Sequence, residues 1–550
     1  MTTVTGLPMY QPAKPPLLIE QLLAEQQAMP AVQRFAQWHD EHQSYSTQAH
    51  IAYRSLIPLS APQPGEQYAF EVDLDACSGC KACVTACHSL NGLEEHETWR
   101  DVGLLVSSDE RPSLQYVTSA CHHCVEPACL AGCPVKAYDK DPATGIVRHL
   151  DDQCIGCQYC VLMCPYDVPK YSHSKGIVRK CDMCRQRLAV DEAPACVAAC
   201  PNQAIRITIV NQAEAIAAAK SGEFLADAPD PRQTVPTTRF VSQTAHTTWQ
   251  AADATFVKPA HAHWPLVVML VLTQASVGVL LAERVLAVAG NTTASLPLLI
   301  VALILGAAGG QAAAFHLGRP FGAWRAWLGL RTSWLSREIV VFGAYSAMLG
   351  ATASLALAIN LRLVSSDSAV AWMMPILSWC SLILGACGVF SSAMIYAVTC
   401  RPTWNLARGG GKFLLTSLLF SAIAVACFIS LLWPLAMFIA AIKLLYEGFC
   451  SWHSIDKYGR VSGGINQLTN AARLLRGPLE RLQTVRNLIG MLSGVLMVFA
   501  AAVTISNAAA SLQWTAIGIV VSSALASELI ERTLFFTAIV SPKMPGGVAT

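Results

Sequence analysis

The sequence predicts an α+β domain followed by an all-α bundle of eight transmembrane helices. Three observations carry that expectation. Sixteen of the 21 cysteines fall between Cys77 and Cys200 in four sets of four. The long apolar stretches come after Trp264. The chain of 550 residues is 53% hydrophobic and only 13% charged, against about 25% charged in ordinary soluble domains. A formal net charge of +2 gives no ground for a nucleic-acid partner.

Residues 1–70 form an N-terminal extension without cysteine, and Leu17–His42 reads as a helix interrupted by Pro30. The opening MTTVTGLPMYQPAKPP has neither an apolar core segment nor a twin-Arg pair, so no export signal is expected.

Residues 71–210 hold the cysteines. The sets are CSGCKACVTAC (Cys77, Cys80, Cys83, Cys87), CHHCVEPACLAGCP (Cys121, Cys124, Cys129, Cys133), CIGCQYCVLMCP (Cys154, Cys157, Cys160, Cys164) and CDMC with CVAACP (Cys181, Cys184, Cys196, Cys200). Thiolates at C-x2-C-x2-C-x3-C spacing, several followed by Pro, hold cubane iron–sulfur clusters in ferredoxins, where the fourth Cys reaches a neighbouring cluster. The expectation is an α+β ferredoxin-like four-cluster domain with four 4Fe–4S clusters. Zinc uses two Cys pairs per ion and not triads with a trailing Cys. Disulfide frameworks belong to short secreted chains. Short β-like runs at 68–72, 145–149 and 204–210 flank the loops. Cys380, Cys387, Cys400, Cys427 and Cys450 are scattered in the apolar half and read as small buried hydrophobes.

Residues 211–260, rich in Ala, Thr, Pro and Asp, read as a linker. Residues 261–550 read as the membrane bundle, with stretches near the roughly 20 residues that cross a bilayer at about 264–288, 295–316, 338–360, 371–397, 412–432, 434–452, 486–506 and 514–536. Basic residues crowd alternate loops: Arg232, Arg239 and Lys258; Arg319, Arg325, Arg331 and Arg337; Arg401, Arg408 and Lys412; Lys457, Arg460, Arg473, Arg476, Arg481 and Arg486. The opposite loops hold Arg362 and little else beyond Arg284. The positive-inside rule then predicts a multi-pass protein of the cytoplasmic (inner) membrane with its cluster domain facing the cytoplasm.

Residues 77–205 resemble the four-cluster electron-transfer subunit of the dimethyl-sulfoxide reductase family of molybdopterin oxidoreductases, on the four Cys segments, CPYDVPKY and KCDMCRQRL. Residues 264–550 resemble that family's eight-helix anchor, on HWPLVVMLVLTQ, HLGRPFGAWRAWLGLRTSWLSREI, Tyr396 with Arg401-Pro402-Thr403-Trp404, and SELIERTLFF. The resemblance implies that the two subunits are fused in this chain. The resemblance implies that motif one pairs with motif four and motif two with motif three. Cys77, Cys80, Cys83 and Cys200 would then share one cluster, and Cys181, Cys184, Cys196 and Cys87 a second. Cys121, Cys124, Cys129 and Cys164 would share a third, and Cys154, Cys157, Cys160 and Cys133 the last. It also implies a separate molybdopterin-containing catalytic subunit and a quinone site in the anchor. The loop charges favour cytoplasmic branches resembling sulfite dehydrogenases or a quinol-linked nitrate reductase.

Ionisable groups inside spans are costly and commonly functional. His316, Glu338, Lys443, Glu447, Glu528, Glu531 and Arg532 are of this kind. Quinone chemistry moves protons and needs a titratable group at the ring oxygen. His316, within HLGRP, is the first candidate and Glu338 the second. No haem is expected, since His261, His263, His316 and His453 sit near span ends without helical pairing. A quinone at the cytoplasmic span ends would handle electrons and protons on one side, which predicts an electroneutral complex.

No nucleotide loop, flavin fingerprint or nucleophile triad is visible, so the chain reads as a non-catalytic redox subunit between the quinone pool and its catalytic partner. The alternatives are a relay for a hydrogenase or polysulfide-reductase-type partner, and a zinc-stabilised domain on a transporter.

Overall fold

The computed structural model describes residues 53–546 apart from 108–112, 244–248, 292, 294, 366–367, 460–466 and 507, with backbone alone at 452–459 and scattered positions before residue 53. The helix expected at 17–42 lies almost wholly outside the described residues.

Among the described residues the cluster domain has ten short strands: β1 (Glu66–Asp73), β2 (Asp101–Ser107), β3 (Leu114–Ser119), β4 (Tyr138–Lys140), β5 (Val147–His149), β6 (Lys170–Ser172), β7 (Ile177–Arg179), β8 (Ile205–Asn211), β9 (Arg239–Val241) and β10 (Trp249–Ala251). In β8 the β-branched run IRITIVN buries Ile205, Ile207 and Val210, a pattern that suits a half-buried strand. It pairs antiparallel with β1, Phe70 opposite Ile207, so the first and last parts of the Cys region close on each other. β2 and β3 form a second antiparallel pair, and β4–β5 and β6–β7 are hairpins.

The segment expected as a linker is part of this domain. After a helix at Gln212–Ser221, β9 extends the β8–β1 sheet in parallel with β1, and β10 extends β2 antiparallel. Its turn-rich composition makes corners, as where Asp230 caps the turn at Pro231–Gln233, and its short extended pieces satisfy sheet edges that would otherwise stay unpaired.

Among the described residues, eight helices are long and apolar enough to cross a membrane. Their cores run Trp264–Val288, Ser295–Ala314, Trp334–Asn360, Met374–Ala397, Gly411–Phe428, Trp433–Gly459, Glu480–Ile505 and Ala510–Thr537. The first lies at the centre, buried over most of its length against the second, fourth, fifth and eighth. After the eighth, the chain returns to the cluster domain: Met544 joins its core, and Leu104 N donates to Gly546 O at 3.2 Å. Gly103 is required there, because a Cβ would run into the Pro545 carbonyl.

Helices five to eight are joined by a buried ionic network. Lys443 pairs with Glu447 at 2.6 Å and with Glu528 at 3.1 Å, and Lys412 pairs with Glu531 at 2.8 Å. Arg486 pairs with Glu447, and Arg532 with Glu531. Arg532 also donates to Gln274 of the first helix at 2.8 Å and to Thr416 at 2.9 Å. Three carboxylates are thus answered by four protein cations. Glu528→Ala leaves Lys443 short of a partner and should destabilise the detergent-solubilised protein by roughly 3–5 kcal/mol. Helical ellipticity followed on heating measures this, and an unshifted melting curve would show the network to be dispensable.

Candidate functional site: thiol groups and an adjoining cavity

The residue before the second Cys of each motif has a left-handed backbone: Gly79 (φ 71°), His123 (φ 40°), Gly156 (φ 68°) and Met183 (φ 61°). In the third and fourth motifs the curl brings a backbone amide to sulfur. Gly156 N donates to Cys154 Sγ and Met183 N to Cys181 Sγ, both at 3.4 Å. The trailing cysteines are served alike, Cys133 by Ala137 N at 3.2 Å and Cys200 by Ala204 N at 3.3 Å.

The sixteen thiols gather in four groups drawn from paired motifs. Cys77, Cys80, Cys83 and Cys200 line one small cavity; Cys121, Cys124, Cys129 and Cys164 line a second; Cys133, Cys154, Cys157 and Cys160 line a third. Cys87, Cys181, Cys184 and Cys196 are electrostatic neighbours and form the remaining group. In the order in which neighbouring groups adjoin, these are the first (led by Cys77), second (Cys181), third (Cys121) and fourth (Cys154) groups. Each is a donor set suited to a 4Fe–4S core. Burial pushes the Cys87 thiol up to about 12 and the Cys164 thiol up to about 11. Such thiols do not ionise side by side unaided, whereas a metal core takes them as thiolates. Cys154 is different: burial raises it, but the His149 hydrogen bond and charge outweigh burial and hold it below its usual value.

The buried polar groups agree with an anionic occupant. Arg100 and Lys180 are buried among thiols. Nε and Nη2 of Arg100 have no hydrogen-bond partner.

The groups also differ in exposure and position. Cys80, in the first group, is exposed, alone among the sixteen. The fourth group lies against the anchor, where three glycines bring backbones together. Gly156 and Gly176 (φ 64°) meet Gly318 of HLGRP, and a Cβ on Gly318 would strike the Gly176 carbonyl and come within 2.7 Å of the Tyr171 hydroxyl. Arg319 and Arg325 donate to the Asp151 and Asp152 carbonyls, each at 2.9 Å, and Arg401 to Leu162 O at 3.3 Å. Ser333 donates to Gly132 O at 2.7 Å, and Tyr159 OH to Ile395 O at 3.2 Å. Several loop cations that bear on topology are therefore also docking contacts.

Beneath this interface lies a cavity of about 360 Å³, lined by Cys157, Gln158 and Tyr159 of the cluster domain and by His263, His316, Glu338, Tyr345 and Tyr396 of the anchor. His316 lies two residues beyond the second spanning helix, in the turn into HLGRP, and meets the Cys157 backbone. Glu338 is buried on the third helix, its carboxylate hydrogen-bonded by Ser392, with no cation in ion-pair range among the described residues. It differs in this from Glu447, Glu528 and Glu531, whose charges are matched.

The structure also joins histidines that the sequence keeps apart. Exposed His261 stands 5.0 Å from His263, and His263 stands 5.2 Å from His316, ring centre to ring centre. Burial, and then the neighbouring imidazoles, push His263 and His316 each down to about 4, so both are neutral at pH 7. The side chain of His453 lies outside the described residues.

Sequence reasoning missed Tyr159, His263, Tyr345 and Tyr396 as cavity walls, since their approach depends on docking. It also missed Arg100 and Lys180. Lys180 left a visible signal in standing directly before Cys181; Arg100, outside every motif, left none.

The fold and site together define an iron–sulfur domain seated on a membrane anchor. A family model described as DMSO reductase anchor subunit (DmsC) matches residues 258–538, just over half of the chain, and one described as 4Fe-4S dicluster domain matches residues 112–209. The chain belongs to the DMSO reductase anchor subunit family, with an electron-transfer iron–sulfur domain in the same polypeptide. Similar proteins include the hydrogenase-2 operon protein HybA of Escherichia coli O157:H7, 38% identical over 160 residues (24% of this chain, 49% of that protein). An anaerobic dimethyl sulfoxide reductase subunit of Escherichia coli (strain K12) is 34% identical over 175 residues (30% and 83%). The formate dehydrogenase iron-sulfur subunit of Haemophilus influenzae is 33% identical over 153 residues (24% and 49%). The chain thus spans about half the length of the first and third.

Gly318→Val should loosen the seating of the cluster domain at a cost of about 1–3 kcal/mol for overpacking. Limited proteolysis between the two parts should quicken while iron content holds; an unchanged cleavage rate would show that the glycine contact does not govern docking.

Proposed function

We propose that this chain is the electron-transfer and anchor subunit of a larger complex, passing electrons between the quinone pool and a separate molybdopterin-containing catalytic subunit. The observation that carries the proposal is the cavity beneath the interface, whose wall joins Cys157 of the fourth thiol group to His316 and Glu338 of the anchor. It is concave, largely apolar and has few converging polar groups, as expected for a small-molecule site.

The sixteen cysteines would hold four 4Fe–4S clusters, which supply one-electron carriers. The chain's own residues set the order. The first group, with exposed Cys80, faces outward, where a catalytic subunit can dock within electron-transfer reach. The fourth group abuts the cavity. His316 and Glu338 would face the quinone oxygens, one neutral imidazole and one carboxyl without a cation, and so take or return the two protons that accompany its two electrons. The His261–His263–His316 series leads from exposed surface to the cavity wall.

The cavity lies toward the cluster domain, so protons and electrons would be handled on one side. The basic loops support a cytoplasmic orientation at the inner membrane. An electroneutral complex follows: in proteoliposomes, quinol-dependent turnover should build no membrane potential, and a potential formed during turnover would refute this part.

Purified anaerobically, the protein should bind about four iron per thiol group, roughly sixteen in all. His316→Arg should keep that iron yet slow quinol-driven cluster reduction at least about tenfold, equivalent to about 1.4 kcal/mol. Unchanged rates would remove His316 from the site.

One observation favours a second partner: the cluster domain's identity to HybA, 38%, exceeds that to the dimethyl sulfoxide reductase subunit, 34%. A hydrogenase-type or polysulfide-reductase-type catalytic subunit would then dock at the same outward face. The anchor match favours the first reading. Molybdenum in the co-purified complex supports the molybdopterin partner, and a molybdenum-free complex the alternative.

A further inference from the structure

Arg100 lies between the first and second thiol groups. Its guanidinium neighbours Cys83 of the first and Cys87, Cys181 and Cys196 of the second. Nη1 donates to Thr118 Oγ1 at 3.1 Å, and Thr118 in turn lies 3.5 Å from Cys83 Sγ. The cation stands over the Phe70 ring at 4.6 Å. Nε and Nη2 are buried without partners, and no carboxylate lies in ion-pair range among the described residues; the nearby Glu97 pairs with Arg179 at 3.4 Å. Arginine keeps its proton at all ordinary pH. A buried, unpaired guanidinium is strongly unfavourable, so the anion that answers it must come from the thiol groups it separates.

Lys180 repeats the arrangement one step further along. Its Nζ meets Cys181 O at 2.8 Å, the Val147 carbonyl, and Cys121 Sγ at 3.6 Å. Three acceptors around one nitrogen call for three donors, the ammonium form. Cys181 belongs to the second group and Cys121 to the third, with Cys129 of the third also beside it. Asp182 is the carboxylate among its neighbours. Between the third and fourth groups stands the neutral Tyr138, whose buried hydroxyl neighbours Cys129 and Cys160.

We propose that Arg100 and Lys180 are positioning residues for electron flow: fixed buried cations that raise the reduction potentials of the clusters flanking them, with the second cluster raised by both and the fourth by neither. Reduction adds one negative charge to a cluster as its donor loses one. A cation at a few ångströms in a poorly screened interior favours the more negative state. The two cations thus raise the middle of the series, while His149, beside Cys154, acts separately on the fourth group. This rests on the four-cluster assignment above, but not on the identity of the quinone or the partner.

The test is a redox titration of the purified full-length protein, followed by electron paramagnetic resonance. Arg100→Gln should lower the potentials of the first and second clusters, each by roughly tenfold in the reduced-to-oxidised ratio at fixed potential, about 59 mV for one electron. Lys180→Gln should lower those of the second and third. The fourth should stay in place in both, and Arg100→Lys, which keeps the charge, should restore most of the Arg100→Gln shift. Unmoved potentials in iron-replete variants would overturn the proposal, as would an equal shift in Arg100→Lys. If Arg100→Gln fails to load iron, the Lys180→Gln titration decides alone. Iron missing from the unaltered protein would instead defeat the cluster assignment.

Discussion

The approach of two backbones at Gly156, Gly176 and Gly318 is the constraint on which the rest of the architecture depends. Side chains there would hold the fourth thiol group away from the anchor. With hydrogen in place of Cβ, the third Cys motif lies directly on the turn after the second spanning helix, and Cys157 and His316 meet. The arginines beside that turn then bond to carbonyls of the same motif. HLGRP is therefore a docking element as much as a cavity-facing one: Gly318 permits contact, Arg319 holds it, and His316 faces the cavity that the contact encloses.

Buried carboxylates in the anchor are of two unlike kinds. Helices five to eight carry many ionisable groups, and these satisfy one another through Lys443, Glu447, Glu528 and their neighbours. Such a network is adequate as architecture, because a bilayer gives no water to solvate an unmatched charge. Glu338, on the third helix, is matched only by a hydroxyl and borders a cavity. The same residue type thus reads as a tie at Glu283, Glu447, Glu528 and Glu531 and as a chemical group at Glu338. A comparable division holds in the cluster domain, where Arg179 has the Glu97 carboxylate but Arg100 has thiols, the Thr118 hydroxyl and the Phe70 ring.

The intervening and terminal segments join the two parts more closely than composition suggests. Residues 239–241 and 249–251 complete sheet edges of the cluster domain, and residues 544–546 return to it after the last helix. An even number of spans brings both ends of the anchor to one face, so the cluster domain is clasped from before and after the bundle. Proline, threonine and aspartate look alike in a tether and in the corners between short strands, which is why sequence alone favoured the tether.

What the sequence determined by itself was local. Cysteine spacing marks the candidate ligands because three of each four lie close together along the chain, and apolar length marks the spans because hydrophobic transfer is summed residue by residue along a helix. The eight helices accordingly follow the expected stretches to within a few residues. Tertiary structure decided everything that needs two distant segments: Cys200 beside Cys77, Tyr159 beside Tyr396, Arg100 between two thiol groups, and Glu338 unpaired while Glu528 is paired. These relations depend on backbone approach and on the low dielectric of a closed interior, neither of which leaves a periodic trace along the chain.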